Sequence, residues 1–464
     1  MKDSSIHEQM RQEWRDKTLF EQASRYAFSY MDGVCDRSVY PEPAAIANLD
    51  RFDEPLPVHA QPGEAVLALL NDHGGPATVA QTGGRYFGFV NGGVIPAALA
   101  ARWLADAWDQ SPALYVSSPI AAKLEQVCER WLRQLLDLPD DTAAGYVSGS
   151  STATLCGLAA ARHEVLNRLG WDVNANGLFG APPIRVIVSD QAHSSVFKAL
   201  ALLGLGKDRI EKVPADDQGR IRGAKIPSLD ERCILMLQAG NVNTGAFDAF
   251  EEICDRAAGS GAWVHADGAF GLWAKASNSR KYLLAGAEKA DSWSVDGHKT
   301  LNTPYDCGIV LCRHRDALVA AMQASGDYIQ TSNDRDGMMY VPEMSRRARA
   351  VDLWATLKYL GRDGVGALID GLCDRAAQFA ERLAVHQFQI LNEVVFNQVL
   401  VACATPAQTR ETLSAIQACG TCWCGGTMWK GEPAIRISVS SWQTTEEDVE
   451  RSVDAFVRAR PSPD

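Results

Sequence analysis

A His-Lys pair, His298-Lys299, closes the run Asp291-Ser-Trp-Ser-Val-Asp-Gly-His-Lys and stands just ahead of the turn Asn302-Thr-Pro-Tyr305. Most lysines lie on polar helix faces, but this one falls between segments rich in buried-type residues. A lysine held among apolar neighbours loses solvation of its charged form. Its pKa falls, and the neutral amine becomes a nucleophile able to form a Schiff base. The plainer alternative is a lysine at a strand end with its stem over apolar surface.

Three other stretches carry residue types suited to chemistry. Ser148-Gly-Ser-Ser-Thr152 follows a strand-like Gly145-Tyr-Val and precedes a helical pattern. Glycine and small hydroxyl residues there present free N–H groups and side-chain donors to an anion, a phosphate above all. Ordinary serine capping is the alternative, and the missing Gly-Lys-Ser/Thr excludes a P-loop. Asp267 ends a strand pattern in His265-Ala-Asp-Gly-Ala-Phe270, where its carboxylate faces a ligand site or simply opens a turn. His193, in Ser189-Asp-Gln-Ala-His-Ser-Ser195, also follows a strand. It is a candidate to stack, donate or act as a base, or is a loop histidine bonded to backbone. Cys419-Gly-Thr-Cys422-Trp-Cys424 has no second Cys or His pair nearby in sequence. Zinc sites ordinarily use four ligands, so the reading is buried thiols and no metal.

The elements that must position these residues alternate. Strand-length apolar runs recur at Arg185–Ser189, Cys233–Leu237, Ala262–Ala266 and Gly308–Cys312, with helical patterns between several of them. That is the pattern of an α/β domain with a largely parallel sheet, which binds ligands beyond the carboxyl ends of its strands. Pro96–Trp108 and Pro119–Leu136 read as helices from their spacing of three and four. A long helix is expected from about 348, then strands near 394–401 and 434–439. Three units follow: an N-terminal helical arm (1–78), a large α/β domain (79–345) and a small α+β domain (346–464).

Hydrophobic residues make up 46% of the 464 and the net charge is −12. That composition is close to that of an ordinary globular protein, and the charge disfavours nucleic acid or an anionic membrane as partner. No run reaches the length of a membrane span, and the polar N-terminus has no signal-peptide core. Twelve scattered cysteines then read as reduced, mostly buried thiols, and the expected location is the cytoplasm.

Taken together, the stretches around His193, Asp267 and His298-Lys299 resemble the group II pyridoxal-phosphate-dependent amino-acid decarboxylases, which include aromatic amino-acid, glutamate and diaminobutyrate enzymes. Pro304-Tyr-Asp-Cys-Gly308, Met344-Ser-Arg-Arg-Ala-Arg-Ala350 and Arg436-Ile-Ser-Val-Ser-Ser-Trp-Gln-Thr-Thr-Glu-Glu-Asp448 extend the likeness to the C-terminal region. The resemblance implies the aspartate-aminotransferase fold and a homodimer with active sites at the subunit interface. It also implies pyridoxal 5'-phosphate as cofactor and conversion of an L-amino acid to its amine and CO2. Lys299 would carry the cofactor as an aldimine, and Asp267 would pair with the pyridine nitrogen of an electron-withdrawing ring that drains a quinonoid carbanion. His193 would stack on that ring. Ser150 and Ser151 would bind the phosphate, with Asp296 and His298 near the same place. Tyr328, in a polar glycine-bearing run, would deliver the proton to Cα; relatives that form aldehydes tend to have phenylalanine there.

The chain departs from the family pattern at several points. Many relatives have Asn-Pro-His-Lys where this chain has Asp296-Gly-His-Lys, and a tryptophan where it has Thr300. A usual His-Pro is Gly83-Gly84, a frequent glutamate is Thr152, and a Thr-Thr pair reads Asn241-Val242. These bear on the substrate more than on the cofactor. The alternatives are another reaction on the same cofactor (transamination, aldol-type cleavage or decarboxylation-dependent C–C chemistry) and a non-catalytic scaffold that kept the fold.

Overall fold

The computed structural model describes residues 6–323 and 334–461. In chain order its strands are β1 (Tyr86–Phe87), β2 (Ala143–Val147), β3 (Arg185–Ser189), β4 (Glu211–Val213), β5 (Cys233–Gln238) and β6 (Trp263–Asp267). They continue as β7 (Ser292–Asp296), β8 (Gly308–Cys312), β9 (Gln389–Ile390), β10 (Gln398–Ala402), β11 (Trp423–Trp429) and β12 (Glu432–Ser438). Among the described residues they form two sheets.

The larger sheet runs β2-β8-β7-β6-β5-β3-β4 and is parallel except for β8, which is antiparallel to both its neighbours. Its strands are rich in Val, Ile and Leu because helices cover both faces. Val186 and Val188 point to one side, under the helices Ser150–Arg168 and Ser194–Leu202. Ile187 points to the other, into a core shared with the helices Pro119–Leu135, Phe250–Ala258 and the first part of Ala350–Val385. Two glycines allow close approaches that shape the active end. A Cβ on Gly308, the first residue of β8, would lie 2.3 Å from the Gly149 Cα. The Gly149 loop therefore rests directly on the β7–β8 region. A Cβ on Gly157 would lie 2.6 Å from the buried His265 ring, so only glycine admits that ring under the helix.

The smaller sheet runs β1-β11-β12-β10-β9. One face packs Val399, Val401, Ile435 and Ile437 against the long helix and the helices Pro406–Ala418 and Glu446–Ala459. The other face carries Trp423, Gly425 and Arg436, the last two directly paired across β11 and β12. A strand over 394–401 is corrected: regular pairing begins only at Gln398. The Val395 amide turns back to the Glu393 carbonyl, and the Asn392 side chain replaces a ladder partner by accepting from the Leu400 amide at 2.9 Å. β11 was not anticipated, because Trp-Cys-Gly-Gly-Thr-Met-Trp has neither β-branched enrichment nor alternation. Ten of the twelve cysteines are buried, as expected, and all are free.

A buried ion network ties the segment after residue 333 to the large sheet. Arg335 donates to Glu125 and Glu129, both at 2.8 Å, and to the Ala144 carbonyl of β2. Arg346 and Arg315 complete the pairs at 2.9 and 2.6 Å. Removing one member of a buried pair strands its partner's charge, at a cost of about 3–5 kcal/mol. Arg335→Leu is expected to lose stability of that order in urea unfolding. A loss under about 1 kcal/mol would mean that Arg346 and Arg315 suffice for the two glutamates.

Candidate active site

The carboxyl ends of four strands converge as parallel-sheet geometry requires. β2 leads to Ser150, β3 to His193, β6 ends on Asp267, and β7 ends on Asp296, three residues before Lys299. Every expected site residue within the described set lies at this end of the sheet. Tyr328 lies outside the described residues.

The surroundings of Lys299 correct the expectation of an apolar cage. Its Nζ lies 3.0 Å from Asp296 Oδ2, and its side chain is about one-fifth exposed, 19%. Its nearest charged neighbour is local, three residues back at the end of β7. Asp296 is buried, and its Oδ1 accepts the Ser150 N–H at 2.5 Å. The His298 Nδ1 accepts the Cys307 N–H at 3.1 Å, so the neutral ring carries its proton on Nε2, 3.7 Å from Asp296 Oδ2. Burial depresses the His298 imidazolium below its ordinary range, and its ring stacks on Tyr305 at 4.1 Å.

The position of Lys299 is set by Asn302, which sits in the left-handed region at φ 60. Its Oδ1 accepts from the Gly93 and Trp442 amides at 2.7 and 2.9 Å. Its Nδ2 donates to the Thr300 and Ser440 carbonyls, both at 2.9 Å. One side chain thus joins the lysine loop, the 88–95 loop and the segment after β12. A Cβ on Gly92 would lie 2.1 Å from the Lys299 carbonyl oxygen, so that loop is in direct contact with the lysine backbone.

Two charged groups lack a counter-charge. Asp267 is buried, and its Oδ1 accepts only the Ala269 N–H, at 3.2 Å. Among the described residues no lysine, arginine or histidine is within ion-pair distance of it, and burial raises its carboxyl above the ordinary range against the opposing pull of His193 and Lys299. Arg436 donates Nη1 to the Val242 carbonyl at 3.3 Å, while its Nε is buried without a partner. Burial lowers the guanidinium, and it also pushes the Tyr86 hydroxyl nearby up to about 12. His193 caps the helix Ser194–Leu202, taking the Ser195 amide on Nδ1 and leaving Nε2 to the cleft. Solvent reaches its ring, yet the protein packed on its other sides depresses its imidazolium.

These groups fit a ligand with an anionic end and a protonated ring nitrogen. The first-turn amides of the helix Ser150–Arg168 have no intrahelical partner and suit an anion. Asp267 is a buried carboxylate waiting for a cation, and Arg436 a guanidinium waiting for an acid. Sequence reasoning had placed Arg436 only within a motif and had not singled out Asn302; neither role has a local signal. Trp423, which stacks on Tyr86 at 5.3 Å and Phe89 at 5.6 Å, was likewise not identified. The described residues include no group of three or more His, Cys, Asp or Glu arranged to hold a metal. In the Cys419–Cys424 segment, Cys419 is exposed and the other two cysteines are buried.

Asn302→Ala would leave the buried Gly93 amide without an acceptor, worth about 1–3 kcal/mol, and would also unpair the part-buried Trp442 amide. The expected loss is at least about 2 kcal/mol in thermal or chemical unfolding. An unchanged midpoint would show that these three segments are held together by other contacts.

Residues 77–403 match the model of the pyridoxal-dependent decarboxylase conserved domain. An aromatic-L-amino-acid decarboxylase of Bacillus atrophaeus is 29% identical over 326 residues, spanning 67% of this chain and 65% of that enzyme. An L-2,4-diaminobutyrate decarboxylase of Rhizobium meliloti is 28% identical over 77% of this chain and 74% of its own length. In three dimensions the chain is similar to Oryza sativa TDC crystallised with PLP and tryptamine, with TM-score 0.87, 22% identity and coverage of 96% and 97% of the two chains. The mouse CSAD apo structure gives TM-score 0.86 at 21% identity, covering 96% and 98%. Among the described residues no helix is long and apolar enough to cross a membrane. With its fold, its domain match and these relatives in agreement, the chain belongs to the family of pyridoxal-phosphate-dependent amino-acid decarboxylases.

Proposed function

We propose that Lys299 holds pyridoxal 5'-phosphate covalently through Nζ and that the protein releases CO2 from an L-amino acid to leave the amine. The observation that carries this assignment of roles is the convergence of Lys299 with Asp267, a buried carboxylate with no cation in reach. Bound there, the cofactor supplies an electron sink for the pair left at Cα when CO2 departs. Asp267 holds a proton on the ring nitrogen: a cation beside a buried carboxylate stabilises both charged forms. His193 covers one ring face, its Nε2 free. The first-turn amides and hydroxyls of Ser150 and Ser151 hold the phosphate, with His298 and Asp296 at its edge.

Arg436 takes a substrate carboxylate. Its Nε has no partner among the described residues, and a planar fork orients a carboxylate better than a point charge does. Holding that group fixes rotation about Cα, so that the bond to be broken stands across the ring. Tyr328 is proposed, on the resemblance alone, to return a proton to Cα. The three units (1–78, 79–345 and 346–464) and a cytoplasmic location remain part of the same reading.

The protein acts as a homodimer in this reading. The helices Ile6–Asp16 and Thr18–Gly33 bury none of their residues, and Trp14, Phe20, Phe28, Trp103 and Trp108 are exposed. Apolar surface of that extent marks an association face. Light scattering is expected to give a dimer that Trp14→Glu/Phe20→Glu weakens; a monomeric wild type would reject this.

Lys299→Ala is expected to abolish both the visible absorbance of the purified holoprotein and CO2 release. Asp267→Asn should retain bound cofactor but lose at least about 100-fold in kcat. Arg436→Met should raise KM by about 10- to 100-fold, the worth of a charged hydrogen bond. Tyr328→Phe should suppress amine formation. A screen of L-amino acids reading CO2 against ketoacid decides the reaction: ketoacid without CO2 would overturn it.

A further inference from the structure

Asp296 presents an acid at the helix end where the phosphate of the cofactor must also bind. Its Oδ1 accepts the Ser150 N–H at 2.5 Å, on the first amide of the helix Ser150–Arg168. Its carboxylate is buried, so water cannot screen it. Where relatives carry asparagine, the side chain has N–H donors for a phosphate oxygen; an ionised carboxylate has none. Two anions sharing one buried helix end repel unless a proton lies between them, as in paired carboxylates.

The other groups facing Asp296 do not remove this conflict. Lys299 Nζ, at 3.0 Å, is its one close cation, and that amine is the atom committed to the cofactor. His298 Nε2 is 3.7 Å away on a ring whose imidazolium burial disfavours. Tyr305 and Cys307 face it with acid groups that burial keeps protonated. Farther off, the charges of His193 and Asp267 also act on this site, with opposite signs.

We propose that Asp296 and the cofactor phosphate are held by one shared proton, so that the chain takes up a proton from solvent as the phosphate binds. This rests on the reading that Ser150 and Ser151 hold the phosphate. The shared hydrogen bond is short and charge-assisted, the strong kind. It makes cofactor retention pH-dependent in a direction that an asparagine would not. Raising the pH removes the proton, restores the repulsion and weakens binding.

The test is the affinity of the full-length apoprotein for pyridoxal 5'-phosphate, measured from pH 7 to pH 9 by titration of the visible band. Calorimetry in buffers of different ionisation heat counts protons in parallel. Relative to Asp296→Asn, the wild type is expected to lose about tenfold in affinity per pH unit and to take up about one more proton per cofactor. Lys299 Nζ faces Asp296 at 3.0 Å, so the variant also alters the proton released by that amine. Pyridoxal, which lacks the phosphate, measures that contribution in wild type and variant, and it is subtracted. Asp296→Ser is the second variant should the asparagine form fail to fold. After subtraction, equal slopes and equal proton counts in wild type and variant would overturn the proposal, as would a difference as large with pyridoxal as with its phosphate. Proton uptake kept in Asp296→Asn but lost in His298→Gln would place the proton on the histidine instead. Failure of the underlying reading is recognised separately: Ser151→Asp should weaken pyridoxal phosphate but not pyridoxal, and equal weakening of both would move the phosphate elsewhere.

Discussion

A buried charge needs an opposite charge, and the active end of this protein is built around two that do not have one. Asp267 sits at the end of β6 with only a backbone amide on its carboxylate. Arg436 sits on β12 with one carbonyl contact and a buried Nε that meets nothing. Isolated ions in such places are strongly destabilising. In the proposed reading each is completed from outside, one by a ring cation and the other by an acid. Asp267 belongs to the larger sheet and Arg436 to the smaller, so such groups would lie between the two.

That space is defined by backbone held to fine tolerance. A Cβ on Gly308 would meet the Gly149 backbone at 2.3 Å, so the serine loop rests directly against β8 beside the end of β7. Asn302 then links the lysine loop to two segments distant in sequence through three side-chain hydrogen bonds, to Gly93, Trp442 and Ser440. Preorganisation of this kind means that ligand binding need not order the loop that holds the nucleophile. The ion network of Arg335, Glu125 and Glu129 serves the same end beside β2, where it anchors the segment after residue 333 to the helix Pro119–Leu135 and to that strand.

Much of this was legible because it is local. Arg185–Ser189 and Gly308–Cys312 read as strands from their β-branched runs and have those bounds in the structure. His193 and Asp267 were placed by one rule about the carboxyl ends of parallel strands and Ser150 by a helix start, whereas Asp296 came only from the resemblance. What was not legible depends on contacts across the fold. The polar company of Lys299 begins with Asp296, three residues earlier in the same run; what no window around residue 299 contains is the helix after β2, whose Ser150 amide holds that carboxylate. Arg436 has its significance only because β12 faces the loop at Val242. β11 is glycine- and cysteine-rich and becomes a strand through its partners on both sides rather than through its own preference.

The two-residue strand β1 pairs with the small sheet through Trp423 and Cys424. A few residues later, the Gly92 amide bonds the His298 carbonyl and Ile95 bonds Asn302. One short stretch is therefore sewn to the small sheet at one end and to the lysine loop at the other. Between the stitches, Phe89 and Val90 adopt positive φ values of 54 and 61, which side chains of that kind seldom accept. Rocking of the small sheet against the large one would strain these few bonds, making them, beside the Asn302 link, a taut tether through which displacement at the outer rim reaches the backbone of Lys299.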